Sequence, residues 1–229
     1  MKTFYSIVLD TRLPLAEMAD NAIHLLVADV TPMMEDETLL QEAVGQLSPQ
    51  RRSKAEACGN PRSRALTTGA TLLLDHLLRP LGLREKDLSY EEGPHGKPSL
   101  QASTVPFDMT FNLSHSGHLA AAALYVGAAP YSIGLDIQRQ TRYRPELVRR
   151  VYNDADRAQL AACTTEAERE RCFAQLWCRA EAYAKATGEG LRWPFATPPA
   201  DAHFTDFRVG DDYFGCLCTL RPETVPNKP

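Results

Sequence analysis

Residues 119–135 read LAAAALYVGAAPYSIGL and contain no charged side chain. A stretch of 17 uncharged residues approaches the lower length of a membrane-spanning helix, but Gly127 and Pro130 interrupt its middle. We therefore predict two short buried strands joined by a turn, and no membrane span. The turn region, residues 127–130, is also the predicted join between two halves of the chain.

Outward from this turn, a similar order of elements is predicted on each side. The N-terminal side has strand patterns at 3–9, 24–30, 109–113 and 119–126, and helix patterns at 40–58 and 61–79, the first interrupted at Ser48-Pro49. The C-terminal side has a strand at 132–138, helices at 148–163 and 166–187, and a hairpin of 204–209 with 213–220. The pattern predicts an α+β fold of two similar halves in tandem, residues 1–127 and 128–229, related by a pseudo-twofold axis, with the active site in the cleft between them.

The composition limits the class of protein. The chain has 229 residues, of which 44% are hydrophobic and 24% are charged, which is typical of a folded globular protein and excludes disorder and coiled coil. A net charge of −4 argues against a general nucleic-acid binder. No signal-peptide pattern opens the sequence, and none of the six cysteines forms a C-x-x-C pair. We expect reduced thiols in a cytoplasmic protein and disfavour a zinc site.

A basic cluster lies in the first half of the chain. It comprises Arg51, Arg52, Lys54, Arg62 and Arg64, opposed only by Glu56, and Lys97 follows in the loop Gly96-Lys97-Pro98. In an acidic chain this local excess indicates an anion site, and phosphate is the anion that we expect there. The alternative is a solvated helix face.

The segment FNLSHSGH, residues 111–118, is a second candidate. Strand alternation places Asn112 and Ser114 on one face, and hydroxyl and imidazole groups at a strand end are suitable donors to phosphate oxygens. The alternatives are a polar turn and a metal pair of His115 and His118.

The segment IGLDIQ, residues 133–138, is a third candidate. Asp136 and Gln138 share a strand face, and Gly134 allows a ligand or another backbone to approach them. A carboxylate beside an amide oxygen suits a hard divalent cation. An edge strand with a wet polar face is the alternative.

The fourth candidate lies in the helix predicted at 166–187. Trp177, Glu181 and Lys185 follow each other at intervals of four residues and therefore form one stripe. A Glu–Lys pair at this spacing is usually a surface salt bridge, but the tryptophan indicates partial burial, which favours a functional pair. The sequence contains no P-loop, G-x-S-x-G, dinucleotide-binding or H-E-x-x-H motif.

Taken in order, these motifs resemble those of the 4′-phosphopantetheinyl transferases of the surfactin-synthetase-activating type. The resemblance covers residues 96–191 and rests on Gly96-Lys97-Pro98, on residues 111–116, on Gly134-Leu135-Asp136-Ile137, on Trp177 with Glu181 and Lys185, and on Gly188-Glu189-Gly190-Leu191. It implies a monomeric, two-half enzyme that moves the phosphopantetheine arm of coenzyme A to a serine of an acyl or peptidyl carrier protein and releases 3′,5′-ADP. The carrier would serve fatty acid, polyketide or nonribosomal peptide synthesis.

The resemblance also implies roles for individual residues. Asp136 and Glu181 would be carboxylate ligands of Mg²⁺ (or Mn²⁺), with Gln138 at a third position. Glu181 would also be the base for the serine hydroxyl, and Lys185 would stabilise the pyrophosphate. The implied coenzyme A contacts are Arg51, Lys54, Arg64, Lys97, Ser114, His115 and Lys185.

Two positions depart from the family pattern. Many members have glutamate at the position of Gln138 and lysine at the position of Ala180, and neighbouring Arg179 points about 100° away around the helix. These departures support a second hypothesis, a catalytically weak relative that binds coenzyme A or a carrier protein without transfer. A metal hydrolase built on His115, His118 and Asp136 is a third hypothesis.

Overall fold

The computed structural model describes residues 3–15, 18–93, 95–106, 108–127 and 131–221. The chain forms two compact units, residues 1–130 and residues 131–229, called here the N-terminal and C-terminal units. Both contain helices and antiparallel sheets, which confirms the predicted α+β class. Repetition of one fold in the two units stays a prediction.

The N-terminal unit is built on an antiparallel sheet with strand order β1-β2-β6-β5. Its strands are β1 (Ser6–Leu15), β2 (Met18–Asp29), β5 (Met109–Ser116) and β6 (Leu119–Val126), and a separate pair is formed by β3 (Tyr90–Glu92) and β4 (Pro98–Leu100). Its helices are α1 (Thr31–Glu35), α2 (Glu37–Val44), α3 (Pro49–Glu56) and α4 (Pro61–Leu78). Helix α4 packs its apolar residues against Leu26, Phe111 and Leu124 of the sheet.

A polar N-cap residue sets the start of α3 and of α4. Ser48 caps α3 through the backbone N–H of Arg51, which confirms the predicted interruption at Ser48-Pro49. Asn60 caps α4 through the N–H of Ser63, and Pro61 occupies the first helical position, where its missing N–H is not needed. The buried Glu85 carboxylate accepts hydrogen bonds from the backbone N–H of Ser48 at 2.9 Å and from the Tyr90 hydroxyl at 2.7 Å, which fixes the start of α3.

The C-terminal unit has an antiparallel sheet with strand order β7-β9-β8. The elements are β7 (Ser132–Arg139), α5 (Pro145–Val151), α6 (Asp154–Ala162), α7 (Glu166–Thr187), β8 (His203–Val209) and β9 (Tyr213–Leu220). The prediction of one helix over residues 148–163 is wrong. Tyr152 is extended, and Asn153 caps a new helix by accepting the N–H of Asp156 at 2.9 Å.

Capping residues at both ends of helix α7 determine where it starts and where it stops. It starts with a capping box in which Thr165 and Glu168 satisfy each other's backbone N–H groups, and it ends at Gly188, whose φ of 71° is left-handed. Between these ends, small side chains recur every four residues and face β9. They are Ala174, Cys178, Ala182 and Ala186. Their small size lets α7 lie close to the sheet.

The charge-free stretch forms strands β6 and β7, as predicted, while residues 128–130 lie outside the described part of the chain. Among the helices that the structure describes, none is long and apolar enough to cross a membrane. All six cysteines are free thiols.

Candidate functional site

Strand β7 and helix α7 pack backbone to backbone at Gly134. A Cβ atom at this position would lie 2.0 Å from the carbonyl oxygen of Ala182 and 2.4 Å from the amide nitrogen of Ala186. Only glycine therefore permits this approach. The sequence allowed either a ligand or another backbone beside Gly134, and the structure shows that the backbone of α7 occupies this space.

The close approach brings a lysine of α7 onto an aspartate of β7. Lys185 Nζ donates hydrogen bonds to Asp136 Oδ1 at 2.8 Å and to the carbonyl oxygen of Leu135 at 3.0 Å. The side chain of Asp136 is only 8% exposed and that of Lys185 is 30% exposed, so this ion pair is largely shielded from solvent. The sequence spacing pairs Lys185 with Glu181 on the same helix, and the structure adds a partner on the neighbouring strand.

Glu181 is the titratable group of this site with the most altered proton affinity. Burial, together with the negative charge of Asp136, raises its pKa to about 7, although the positive charge of Lys185 acts in the opposite direction. The main cause is desolvation of the carboxylate, and the proximity of a second carboxylate adds to it. A carboxyl group with a pKa near neutrality can both accept and release a proton under ordinary conditions.

The donor atoms of this site suit a hard divalent cation. Carboxylates at Asp136 and Glu181 repel each other, and a cation between such groups removes the repulsion. Gln138, two residues along β7, donates from Nε2 to the carbonyl oxygen of Arg139 at 3.0 Å, so its amide oxygen is the atom suited to a cation. Among the residues that the structure describes, no group of three or more His, Cys, Asp or Glu side chains is placed to hold a metal ion. A hard cation at Asp136 and Glu181 would take its remaining oxygen ligands from water or substrate.

Arg179 and Ala180 precede Glu181 on α7. Arg179 Nε donates to both carboxylate oxygens of Asp206 on β8 at 3.1 Å, which directs the guanidinium to that strand. The structure therefore agrees with the expectation that Arg179 does not replace a lysine at position 180. Ala180 packs against the aromatic cluster that contains Tyr152 and Phe173.

The N-terminal unit places part of the basic cluster beside the end of β5. Arg62 Nη2 donates to the carbonyl oxygen of Gly117 at 2.8 Å, so the start of α4 lies against the turn between β5 and β6. Arg64 lies 3.6 Å from Glu37 Oε1, and its own Nε is buried without a hydrogen-bond partner among the described residues. His115 is exposed near this turn, while Ser114 is buried.

The other residues predicted to contact coenzyme A differ in their exposure to solvent. Arg51 is 6% exposed, donates to Thr71 Oγ1 from Nε at 3.2 Å and from Nη2 at 3.0 Å, and lies over the Tyr90 ring. It thus supports the core of the N-terminal unit, and its burial lowers the pKa of its guanidinium. Lys54 is exposed on α3, and Lys97 is half-buried after Gly96, whose φ is 74°. Coenzyme A contacts at these positions stay a prediction.

Two features of the C-terminal unit were not predicted from the sequence. One is the carbonyl oxygen of Leu135 as an acceptor for Lys185, which no side-chain pattern could reveal. The other is a cavity of about 190 Å³ next to Gln138, lined also by Thr141, Arg144, Leu147, Phe173, Ala174 and Trp177. The part of the cavity lining that lies on α7 could have been predicted from the sequence, because Phe173 and Trp177 are four residues apart and share a helix face.

Comparison with known proteins adds an independent line of evidence. Residues 132–225 match the model of the 4′-phosphopantetheinyl transferase superfamily. The chain is 29% identical over 163 residues to the 4′-phosphopantetheinyl transferase HetI of Nostoc sp. (strain PCC 7120), a match that covers 70% of the chain and 67% of HetI. It is 29% identical over 161 residues to the putative 4′-phosphopantetheinyl transferase slr0495 of Synechocystis sp. (strain PCC 6803), covering 68% of the chain and 63% of that relative. The transferase psf-1 of Bacillus pumilus is 27% identical over 163 residues, covering 69% of the chain and 66% of psf-1. The chain thus spans about two thirds of the length of these relatives.

Proposed function

We propose that this chain is a 4′-phosphopantetheinyl transferase, which transfers the phosphopantetheine arm of coenzyme A to a serine hydroxyl of an apo carrier protein. The match of residues 132–225 to that superfamily and the identity of 27–29% to three named or putative transferases support the proposal. The serine oxygen forms a new P–O bond to the phosphate that carries pantetheine, and the bond from this phosphate to the bridging oxygen breaks. The serine proton is taken up by a base, and 3′,5′-ADP leaves. Catalysis of such a step depends mainly on positioning and charge stabilisation.

The observation that carries the proposal is the arrangement of Asp136, Glu181 and Lys185 on two packed elements. Strand β7 and helix α7 hold an aspartate and a lysine at 2.8 Å, with a second carboxylate one helical turn from the lysine. Asp136 and Glu181, with the Gln138 amide oxygen, would hold Mg²⁺ or Mn²⁺. When bound there, such an ion neutralises charge on the pyrophosphate of the donor.

Glu181 is the proposed base for the serine hydroxyl, acting directly or through a water molecule. Its pKa of about 7 gives it the affinity for a proton that this task requires at neutral pH. Lys185 holds Asp136 in place and supplies positive charge for the pyrophosphate and for the leaving 3′,5′-ADP.

We assign binding of the coenzyme A phosphates to the N-terminal unit. Arg64 and His115 support this assignment because the Arg62–Gly117 contact draws the start of α4 toward the end of β5. The other proposed contacts are Arg51, Lys54, Lys97 and Ser114, with Lys185 from the C-terminal unit. For Arg51 the assignment requires that its buried guanidinium also reach the ligand. The proposed partner is an acyl or peptidyl carrier protein, and the enzyme is proposed to act as a monomer.

A second function is favoured by the amide at Gln138 and by the Arg179–Asp206 pair. Gln138 adds no negative charge to the cation site, and Arg179 is directed to β8. A relative with weaker metal and phosphate binding could bind coenzyme A or a carrier protein without transferring the arm.

One assay separates the two functions. The full chain is incubated with an apo carrier protein, coenzyme A and Mg²⁺, and the carrier is examined by intact mass. A gain of one phosphopantetheine supports transfer, and we expect Asp136→Asn and Glu181→Gln to abolish it. Asp206→Asn is the matched control, since Asp206 lies in the same unit and contacts Arg179. Coenzyme A binding without any gain in carrier mass would select the second function.

A further inference from the structure

The N-terminal unit contains a cavity of about 240 Å³ that none of the proposed site residues lines. Leu77, at the C-terminal end of α4, forms part of its wall, whereas Arg62 and Arg64 lie at the start of the same helix. About 20 Å of helix therefore separate the cavity from the proposed phosphate contacts. The cavity is called here the distal cavity.

The wall of the distal cavity is mostly apolar. Helix α4 packs on the sheet face that carries Leu26 and Leu124 and ends at Leu78, where the chain continues into a single helical turn, Arg79–Leu81. His24 lies on the same face of β2 as Leu26, because side chains two residues apart on a strand share a face. The apolar lining residues are Ala22, Leu77, Pro80, Leu81, Leu124 and Val126. Such a surface gains free energy when hydrocarbon covers it.

Two basic side chains complete the lining. Arg12 and His24 are directly paired across β1 and β2, and Arg12 is exposed while His24 is half-buried. Burial lowers the pKa of His24, the positive charge of Arg12 also lowers it, and the negative charge of Asp10 acts in the opposite direction. His24 is thus a neutral hydrogen-bond donor at neutral pH, and Arg12 supplies the positive charge.

We propose that the distal cavity binds a small apolar monocarboxylate, with its hydrocarbon part against the apolar wall and its carboxylate at Arg12 and His24. A cavity of about 150 Å³ holds one benzene molecule, so 240 Å³ has room for a ring or a short chain that carries a carboxylate. A guanidinium matches a carboxylate with two parallel N–H groups. The few polar groups among apolar ones are the usual composition of a small-molecule site.

The charges around the cavity favour one negative charge on the ligand. Arg12 is the permanently charged residue among those that line the cavity in the described part of the chain. Asp10 lies two residues before Arg12 on β1, pairs with Leu26 and does not line the cavity. Its negative charge disfavours a dianion such as a phosphate monoester, and the charge of Arg12 disfavours an amine.

Octanoate is the probe for this site, titrated into the isotope-labelled full chain and followed by the chemical shifts of the backbone amides. We expect saturable shifts at His24, Leu81 and Leu124. Octanol has the same chain without the carboxylate, and acetate has the carboxylate without the chain. Each should bind at least about tenfold more weakly than octanoate, since one loses the charged hydrogen bonds and the other loses the apolar contact.

Arg12→Gln tests the charge at the cavity. It should weaken octanoate binding by about tenfold or more and leave octanol binding unchanged, because it removes a charged hydrogen-bond donor at an exposed position. Lys86→Gln is the matched control. Lys86 is an exposed cation of the same unit that does not line the cavity, so this variant should bind octanoate like the wild type.

Four results would overturn the proposal. They are no saturable shift at millimolar octanoate, shifts confined to residues away from the cavity, octanol or acetate binding as tight as that of octanoate, and wild-type affinity for octanoate in Arg12→Gln. The titration uses neither coenzyme A nor a carrier protein, so its outcome does not depend on the proposed transfer activity.

Discussion

At the scale of single residues, Glu181 links the chemistry of the site to the stability of the protein. Its pKa is raised to about 7, so the folded chain binds this proton more tightly than the unfolded chain does. The stabilisation is complete below the ordinary carboxyl pKa and is lost as the pH rises through about 7. In metal-free buffer, Glu181→Gln should therefore raise the unfolding free energy at pH 8 by about 1–2 kcal/mol, with little gain at pH 5.

Urea denaturation in the presence of a chelator, at both pH values, measures this difference. Thr187→Ala on the same helix is a control that removes a hydrogen bond to Ala184 without removing a titratable group. Its effect should be the same at pH 5 and pH 8. An equal effect of Glu181→Gln at the two pH values would mean that Glu181 is not the group that titrates.

Gly134 supports the site through the backbone. A methyl group there would meet the backbone of Ala182 at 2.0 Å, and backbone atoms of a packed helix cannot move aside locally. We expect Gly134→Ala to lower the unfolding free energy by about 3 kcal/mol. Gly59→Ala is the matched control, because no atom lies within 4 Å of its added Cβ, and its effect should stay within about 0.5 kcal/mol. Similar effects of the two changes in urea denaturation would contradict the close packing of β7 on α7.

Arg64 tests the proposed phosphate contact. If its guanidinium binds the 3′-phosphate of coenzyme A, Arg64→Ala should raise KM for coenzyme A by about tenfold or more, which is the value of one hydrogen bond to a charged group. The same change should matter much less with 3′-dephospho-coenzyme A as the donor. An equal rise in KM for the two donors would show that Arg64 does not bind the 3′-phosphate. The same comparison of donors with Lys97→Ala tests whether Lys97 binds it.

At the scale of elements, the position of the site depends on where α7 begins. Thr165 accepts the N–H of Glu168 and fixes the first turn of the helix that carries Glu181 and Lys185. Thr165→Ala should lower the unfolding free energy by about 1 kcal/mol, whereas Thr165→Ser keeps the hydroxyl and should stay close to the wild type. Thermal or urea unfolding of both variants measures the difference, and an equally large loss for the serine variant would show that the cap hydroxyl is not responsible.

The elements also show what local patterns can predict. The bounds of β6, α7 and β9 were predicted as observed, because each has a polar or glycine residue at its ends and an unbroken apolar or helical pattern between them. The helix predicted at 148–163 failed because Asn153 fits a helical pattern as well as a cap, and the extended backbone at Tyr152 leaves no signal in the periodicity. Strand β2 begins six residues earlier than predicted, at Met18 and not His24, in a stretch where the adjacent polar residues Asp20 and Asn21 interrupt any alternation.

At the scale of the whole molecule, sequence order identified the candidate residues but not their partners. The sequence places Lys185 on one helix stripe with Glu181, and the structure shows that it also binds Asp136, which is 49 residues away along the chain. Arg51 belongs to the basic cluster that is predicted to bind an anion, yet its guanidinium is hydrogen-bonded to Thr71 inside the core. Such pairings depend on tertiary packing, and local periodicity carries no information about them.

The proposed cation site combines too little negative charge to hold Mg²⁺ strongly by itself. Asp136 and Glu181 provide two carboxylates, the amide of Gln138 adds no charge, and the ammonium of Lys185 lies 2.8 Å from Asp136. Mg²⁺ readily keeps water and takes phosphate oxygens as ligands. We therefore expect weak Mg²⁺ binding to the free protein and much tighter binding in the presence of coenzyme A, whose pyrophosphate supplies charged oxygens.

Calorimetric titration of Mg²⁺, with and without coenzyme A, measures this dependence in the full chain. Gln138→Glu should tighten binding to the free protein, because it adds a charged oxygen two residues from Asp136 on β7. It need not accelerate transfer, since stronger ground-state binding does not by itself lower the barrier. Asp136→Ala should abolish the coenzyme A-dependent binding. If the free wild type bound Mg²⁺ tightly and neither substitution changed this, the cation would be held elsewhere, and the roles proposed for Asp136 and Glu181 would both fail.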